Sequence, residues 1–301
     1  MRELTFTVPK RYDGATMQQF LRQECGLSWR MVVRLKRVER GMTADGEPRR
    51  SIDPVFAGQT VVLRMPEDTL RVEPMDLPIS VVFEDENLLV VDKPAYLAVH
   101  PSAGLPDPTL ANMVAAHFLK QGSTVSFRPV NRLDRNTSGL LLAGKNSHVT
   151  FALGGKVQKT YLAIVLGRLE GSGTVNAPIR IKEGCCITRE VGEGGKESIT
   201  HYESLAACDE ISLVRLWLET GRTHQIRVHM SHLGFPLAGD TMYGTDETVM
   251  PRHALHCDSM TFTHPVSGEE MTFTSELPAD MQGVLEKYGI SCEKENVYER
   301  V

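Results

Sequence analysis

The sequence predicts an α+β protein, and three observations carry that expectation. Helix-like and strand-like segments are interspersed without the regular βαβ period of a doubly wound sheet. No internal repeat appears at a solenoid period. The 301 residues, 41% apolar and 24% charged with 25 Gly and 16 Pro, have the composition of an ordinary globular chain long enough for about two domains.

Along the chain, residues 16–25 and 28–40 read as two short helices, with Ser28 a cap and Gly41 a stop. Residues 42–50 and 60–65 read as strands, with Ala57-Gly58-Gln59 as a turn before the second. The acidic, proline-bearing stretch 66–78 reads as a linker, which divides the chain into a small unit over 1–65 and a larger one over 79–301. The larger unit opens with strands at 79–83 and 88–91, the second ending at Asp92-Lys93-Pro94. A helix runs to Lys120, opened by Asp107 as cap and Pro108 in its first turn. Strands follow at 139–143, 161–166 and 213–218, with helices at 147–153 and 223–233, the latter closed by Gly234. Residues 271–273 belong to a late hairpin.

Charge divides unevenly. Residues 1–65 hold 12 Lys and Arg against 7 Asp and Glu, whereas the remainder holds 21 against 31 and the whole chain carries −5. A protein that coats nucleic acid by bulk charge is therefore excluded. Arg30, Arg34, Lys36, Arg37 and Arg40 place five cations on a segment whose Met31, Val32, Val33, Leu35 and Val38 supply an apolar face, the pattern of a small basic helical domain. The six cysteines, at 25, 185, 186, 208, 257 and 292, contain no C-x-x-C pair and read as free thiols. No apolar run reaches membrane-span length and residues 1–10 lack the apolar stretch of a secretory signal, so a cytoplasmic protein is expected.

Three segments invite chemistry. Gly139-Leu-Leu-Leu-Ala-Gly144-Lys145 nearly completes a phosphate-binding loop, but its three leucines belong in a buried strand, and the reading is rejected. His224, His229 and His232, with His253 and His256 downstream, lack the H-E-x-x-H pattern and a carboxylate at helical spacing. They read as helix-surface or RNA-facing histidines, with no metal expected. The sharpest signal is Asn131-Arg132-Leu133-Asp134-Arg135 followed by Thr137-Ser138-Gly139. There a carboxylate flanked by two arginines sits at the lip of a buried strand, as a nucleophile or general base would. Downstream, Ile226, Met230 and Leu233 form the buried face of a helix, which turns Arg227 and His224 elsewhere and leaves Arg227 able to reach a carboxylate.

Taken with Lys159-Thr-Tyr161-x-Ala163-x-Val165-x-Gly167, Thr220-Gly-Arg-Thr-His-Gln-Ile-Arg227-Val-His, Gly239-Asp240-x-x-Tyr243-Gly244 and Val90-Val-Asp-Lys-Pro94, the Asp134 segment resembles the RluA-type RNA pseudouridine synthases over residues 79–280. The resemblance implies a mixed, mainly antiparallel catalytic sheet and isomerisation of uridine to pseudouridine in structured RNA, ribosomal or transfer, without cofactor or metal. It implies Asp134 as the essential carboxylate, Tyr161 as the aromatic stacked on the flipped base, and Arg227 as the partner of Asp134. Arg132, Arg135, Lys159, Arg222 and His224 are then expected to contact RNA. Residues 1–65 resemble, more loosely, an alpha-L type RNA-binding module, with Arg34, Lys36 and Arg37 on its basic helix; a monomer is expected. Two positions depart from the family pattern: Asn131 stands where a His is usual, and Ala95-Tyr96 replaces a small residue and Gly. A non-catalytic RNA-binding factor would need the basic amino terminus but no carboxylate. A histidine-based metal hydrolase is the third, weaker reading.

Overall fold

The computed structural model describes residues 3–65, 70, 72–102, 108–244 and 249–290. Its first unit comprises β1 (Glu3–Thr7), α1 (Met17–Gln23), α2 (Trp29–Leu35), β2 (Met42–Ala44), β3 (Glu47–Pro48) and β4 (Thr60–Arg64). The strands form an antiparallel sheet in the order β1-β4-β2-β3. Thr16 caps α1 with Gln19 reaching back to its amide, and Ser28 caps α2 through the Met31 amide at 3.2 Å. Met17, Phe20 and Leu21 pack with Val32, Leu35, Val61 and Leu63 in one core. The helix expected over 28–40 ends at Leu35, six residues before Gly41, where a Cβ would lie 2.2 Å from the Leu35 carbonyl oxygen. The strand expected over 42–50 is broken by Asp45 and Gly46, both at positive φ, into a two-residue hairpin.

The rest of the chain builds β5 (Ser80–Glu84), β6 (Leu88–Lys93), α3 (Leu110–Lys120), β7 (Ser138–Gly144), α4 (Ser147–Leu153) and β8 (Gln158–Leu166). After these come β9 (Ser172–Asn176), β10 (Ile179–Ile181), β11 (Arg189–Val191), β12 (Ile199–Ala207), β13 (Ile211–Leu218) and α5 (Gln225–His232). The last elements are β14 (Leu255–Thr263), β15 (Glu270–Thr274) and α6 (Ala279–Lys287). Nine strands form one mixed, mainly antiparallel sheet in the order β5-β6-β7-β14-β8-β13-β12-β9, with β15 also on β14, while β10 and β11 pair apart from it. Strands β8 and β13 alternate as a sheet buried on both faces must: Tyr161, Ala163, Val165, Val214 and Leu216 join one core with Ile226 and Met230 of α5. Leu162, Ile164, Ile211 and Leu213 join another with Met281 and Leu285 of α6.

All seven residues of β7 are buried, so the glycine-bounded segment there is a core strand. α3 starts at Leu110 with Thr109 and Asn112 forming its capping box; the expected cap, Asp107, lies outside the described residues. Residues 72–79 carry no regular structure, and Asn112 of α3 donates to the Glu73 carbonyl at 2.8 Å. Strands β1, β9, β10, β11, β12 and β14 and helix α6 lie outside the elements read from the sequence. β14 illustrates why: its first six residues are all buried yet include His256, Asp258 and Ser259, so it shows neither alternation nor an apolar run.

Only one pair in the nine-stranded sheet is parallel, β7 with β14 through Ser138 opposite His256 and Gly139 opposite Cys257. The two backbones come close there. Gly139 has φ +105°, and a Cβ on it would lie 2.2 Å from the Cys257 carbonyl oxygen, so glycine is required both for the dihedral and for the space. Gly139→Ala should destabilise the protein by about 2–4 kcal/mol, because positive φ and overpacking act together. Chemical denaturation measures this, and an unchanged midpoint would contradict the close approach.

Candidate active site

Asp134 lies in the loop entering β7, and buried polar side chains from two other segments grip that loop. Lys93, at the end of β6, donates to the carbonyls of Pro94, Leu97 and Arg135 at 2.8, 2.9 and 3.2 Å. Burial and the neighbouring Arg252 pull the Lys93 ammonium down to about 7. Arg252 donates to the Asn136 carbonyl at 3.0 Å while its other nitrogens pair with Asp280 of α6 at 2.7 and 2.9 Å. His253 Nε2 meets Thr137 Oγ1 at 2.9 Å and His256 Nδ1 meets Ser138 Oγ at 3.0 Å. The Thr137 amide donates back to the Asp134 carbonyl at 3.1 Å. Each peptide from 134 to 138 is therefore held by a side chain or amide whose own position is fixed by the sheet or α6.

The second half of the site comes from α5 and the turn before it. Gln225, almost fully buried, accepts from Thr220 Oγ1 and the Arg222 amide and donates to the Ile199 carbonyl, which sets the turn that launches the helix. The helix starts at Gln225, two residues later than expected, because His224 adopts a left-handed conformation, φ 59°. From α5, Arg227 makes a bidentate pair with Asp240, Nε and Nη2 each 2.7 Å from a carboxylate oxygen, and its guanidinium lies 4.9 Å from the centre of the Tyr243 ring. Asp240 is 1% exposed and also accepts from the amides of Met242 and Tyr243. Burial alone would raise its carboxyl, but the hydrogen bonds and charge of Arg227 outweigh it and hold the carboxyl below the usual range. Arg227 reaches Asp134 with Nη1 at 3.6 Å from Oδ2, and His224 Nε2 approaches the same oxygen at 3.8 Å. The expected pairing of Arg227 with Asp134 is thus the looser of its two carboxylate contacts.

The Asp134 side chain is 22% exposed, and among the described residues none hydrogen-bonds to its carboxylate. Tyr161 is the fourth residue of β8 and only 6% exposed. Burial, first, and then the charges of Cys257 and Asp134 hold its hydroxyl well above the usual range. Lys159, on the same face of β8, is half-buried and donates to the Val157 carbonyl at 2.9 Å. Arg132 and Arg135 are exposed beside Asp134, and Arg135 Nε donates to the Tyr96 carbonyl at 3.2 Å. Arg222 is exposed and donates to the Glu197 carbonyl. Arg34, Lys36 and Arg37 lie at and just after the end of α2 in the first unit; the two last are exposed, with the Lys36 ammonium 5.1 Å from the Trp29 ring centre.

The surface reading of three histidines is corrected. His229 is fully buried, bonded to Thr200 Oγ1 and the Ala177 carbonyl at 2.9 Å each, and so fastens α5 to the sheet, while His253 and His256 are buried against Thr137 and Ser138. His224 is turned to Asp134, its side chain 11% exposed. The two departures from the family pattern also find places. Asn131 accepts from the Leu142 amide and donates to the Leu140 carbonyl, clipping the loop to β7. Tyr96 sits at φ 65°, a conformation that glycine adopts without strain. Cys25, Cys185, Cys186, Cys208 and Cys257 are free, and Cys292 lies outside the described residues. Asp240, Tyr243 and Arg252 had no role assigned from sequence, since only the fold carries them to the neighbourhood of residues 134 and 227.

The family described as RNA pseudouridylate synthase matches residues 87–232. The uncharacterized RNA pseudouridine synthase YjbO of Bacillus subtilis is 37% identical over 272 residues, covering 87% of this chain and 95% of the relative. The ribosomal large subunit pseudouridine synthase D of Vibrio vulnificus is 35% identical, covering 93% and 92%. Among solved structures, human RNA pseudouridylate synthase domain containing 1 superposes with a TM-score of 0.55 at 26% identity, over 74% of this chain and 99% of that one.

Burial is the largest influence on His224, His229, His253 and His256 and shifts each below the usual histidine range, His253 to about 3. Such histidines stay neutral in the fold while the unfolded chain protonates near pH 6.5. Stability should therefore be lost as pH falls below about 6.5, each histidine adding at most about 1.4 kcal/mol per pH unit. Asp258, whose carboxyl burial raises, opposes this with a single group. Denaturation at pH 7 and pH 5 tests it: a steep loss with proton uptake on unfolding is expected, and equal stability would mean the histidines are not sequestered.

Proposed function

This chain belongs to the RNA pseudouridine synthase family, of the RluA type, and from that premise we propose that it converts uridines of large-subunit ribosomal RNA to pseudouridine with Asp134 as the essential carboxylate. The observation that carries the assignment is a partly exposed carboxylate with no hydrogen-bond donor among the described residues, set 3.6 Å from a guanidinium that another carboxylate already holds. Its acceptor capacity is unspent and its countercharge is fixed in advance, as a group that must act on a sugar or base requires. Ribosomal RNA is supported by the Vibrio relative, a ribosomal large subunit pseudouridine synthase that aligns along nearly the whole of both chains.

The target uridine must leave its stack, at about a few kcal/mol. Arg132 and Arg135, exposed beside Asp134, hold phosphates or fill the vacated space, and Lys159 and Arg222 add further cations for the RNA. Tyr161 offers its ring to the extruded base, and by the family resemblance helps to remove the carbon-5 proton. Breaking the bond from N1 to the sugar leaves its electron pair on N1 and frees the base to turn and rejoin through carbon 5; carbon 5 then gives up its proton and N1 takes one up, so that the product is an isomer of the uridine.

Residues 1–65 serve as an RNA-binding module joined by a linker over 66–78. Its cations, Arg34, Lys36 and Arg37, supply phosphate contacts that the acidic remainder lacks.

Asp134→Asn removes one charge and little volume. It should leave the denaturation midpoint and RNA affinity unchanged and abolish pseudouridine in an unmodified large-subunit ribosomal RNA transcript; turnover near wild type would overturn the assignment. Pseudouridine mapping in cells with and without the protein identifies the positions. Reversing Lys36 and Arg37 to Glu should raise KM at least fivefold, leave kcat nearly constant and flatten the salt dependence of binding. An unchanged KM would remove the amino-terminal unit from RNA recognition.

A further inference from the structure

We propose that His224 is a positioning residue for Asp134: Tyr243 locks its imidazole with the proton on Nε2, so that a neutral ring aims an N–H at the Asp134 carboxylate beside Arg227. The inference rests on Asp134 being the essential carboxylate and adds the group that orients it.

Counting protons fixes the ring. The Tyr243 hydroxyl oxygen lies 2.9 Å from the Arg189 amide, which can only donate to it, and 2.8 Å from His224 Nδ1. Among the described residues, His224 Nδ1 is the one acceptor within reach of the phenol proton. Tyr243 therefore donates to Nδ1, Nδ1 is bare, and the proton of the neutral ring sits on Nε2. That nitrogen is the one 3.8 Å from Asp134 Oδ2. The ring also meets Tyr243 edge-on, centres 5.6 Å apart, so both its plane and its tautomer are set by one residue.

The backbone is arranged for the same purpose. His224 takes a left-handed conformation that a β-carbon disfavours, and Gln225 holds the turn on both sides. The groups facing the imidazole are Asp134, Arg227, Arg189, Asp240 and Tyr243. Burial is the largest influence and lowers its affinity for a proton, Asp134 and Asp240 oppose, and Arg227 and Arg189 reinforce, for a net shift downward. A neutral donor suits the site, since a second cation beside Arg227 would blunt the carboxylate. At 3.8 Å the contact is longer than a hydrogen bond; it closes when the nucleotide enters, as catalytic contacts commonly do.

The test combines spectroscopy with kinetics. In the wild-type protein, nitrogen-15 shifts of His224, assigned by their loss in His224→Gln, should show Nε2 protonated and Nδ1 bare; the opposite tautomer overturns the proposal without recourse to activity. On the unmodified ribosomal RNA transcript, Tyr243→Phe should lower kcat at least tenfold with KM within twofold. The same change in a His224→Gln background, where there is no tautomer to lock, should lower it less than twofold further. His224→Gln, which keeps an N–H near the Nε2 position, should retain at least ten times the kcat of His224→Leu. Equal losses for Gln and Leu, or an additive effect of Tyr243→Phe, would reduce His224 to a packing residue. If Asp134→Asn is inactive while Tyr243→Phe is not impaired, the carboxylate assignment stands and this inference falls; if Asp134→Asn is active, the assignment itself falls.

Discussion

Arg227 stands between two carboxylates and belongs fully to one. Its bidentate pair with Asp240 is nearly excluded from water, and breaking such a pair by removing one partner typically costs about 3–5 kcal/mol. Because two nitrogens are committed there, the third is delivered to Asp134 at a distance set by Asp240 and Tyr243 and not by Asp134 itself. Asp134 therefore has a fixed cation beside it at 3.6 Å without accepting a hydrogen bond from it. An Arg227 without its bidentate partner would be free to move onto Asp134 and occupy the lone pairs that the present arrangement leaves open.

The opposite wall of the site follows the same logic with the main chain as its object. Lys93, Arg252, His253 and His256 hold consecutive residues of the 135–138 segment, and they arrive from the ends of β6 and β14, the strands flanking β7. The parallel pairing of β7 with β14 brings the loops before both strands out side by side, and Gly139 allows the approach. Substrate docking thus meets a loop whose entropy of ordering has already been spent in folding. The buried polar groups that do this have their hydrogen bonds met, which is why so many of them can be tolerated near a core.

Reading the sequence alone recovered what local chemistry signals. The helix over 147–153 and the strands around 88–91 and 139–143 announce themselves by caps, glycines and apolar runs, and Asp134 stands out as a charged residue between arginines ahead of a buried strand. What stayed hidden is tertiary. Nothing in the spacing of residues 227 and 240 says that they form the tightest pair in the site, and His253 and His256 look like any downstream histidines until β14 is laid against β7. β14 itself is silent because its polar side chains are bonded inside: Asp258 accepts from Thr160 at 2.9 Å and His256 meets Ser138. A pattern built on apolar periodicity cannot see a strand stabilised in that way. His229 was misplaced for the same reason, its two hydrogen bonds making burial tolerable for a residue usually assigned to the surface.

The excess of acidic residues beyond position 65 is compatible with an RNA substrate because charge acts locally in salt water. At physiological ionic strength, exposed charges separated by more than about 8 Å are largely screened, so a phosphate near Asp134 responds to Arg132 and Arg135 far more than to carboxylates elsewhere on the surface. On the function proposed above, an acidic surround limits indiscriminate binding, because an RNA would gain little unless it met the cations around Asp134 and those of residues 1–65 together. Joining a basic segment to an acidic one would then raise the effective concentration of the correct contact without making the whole molecule sticky, and a net charge of −5 would favour selectivity by geometry over binding by bulk charge.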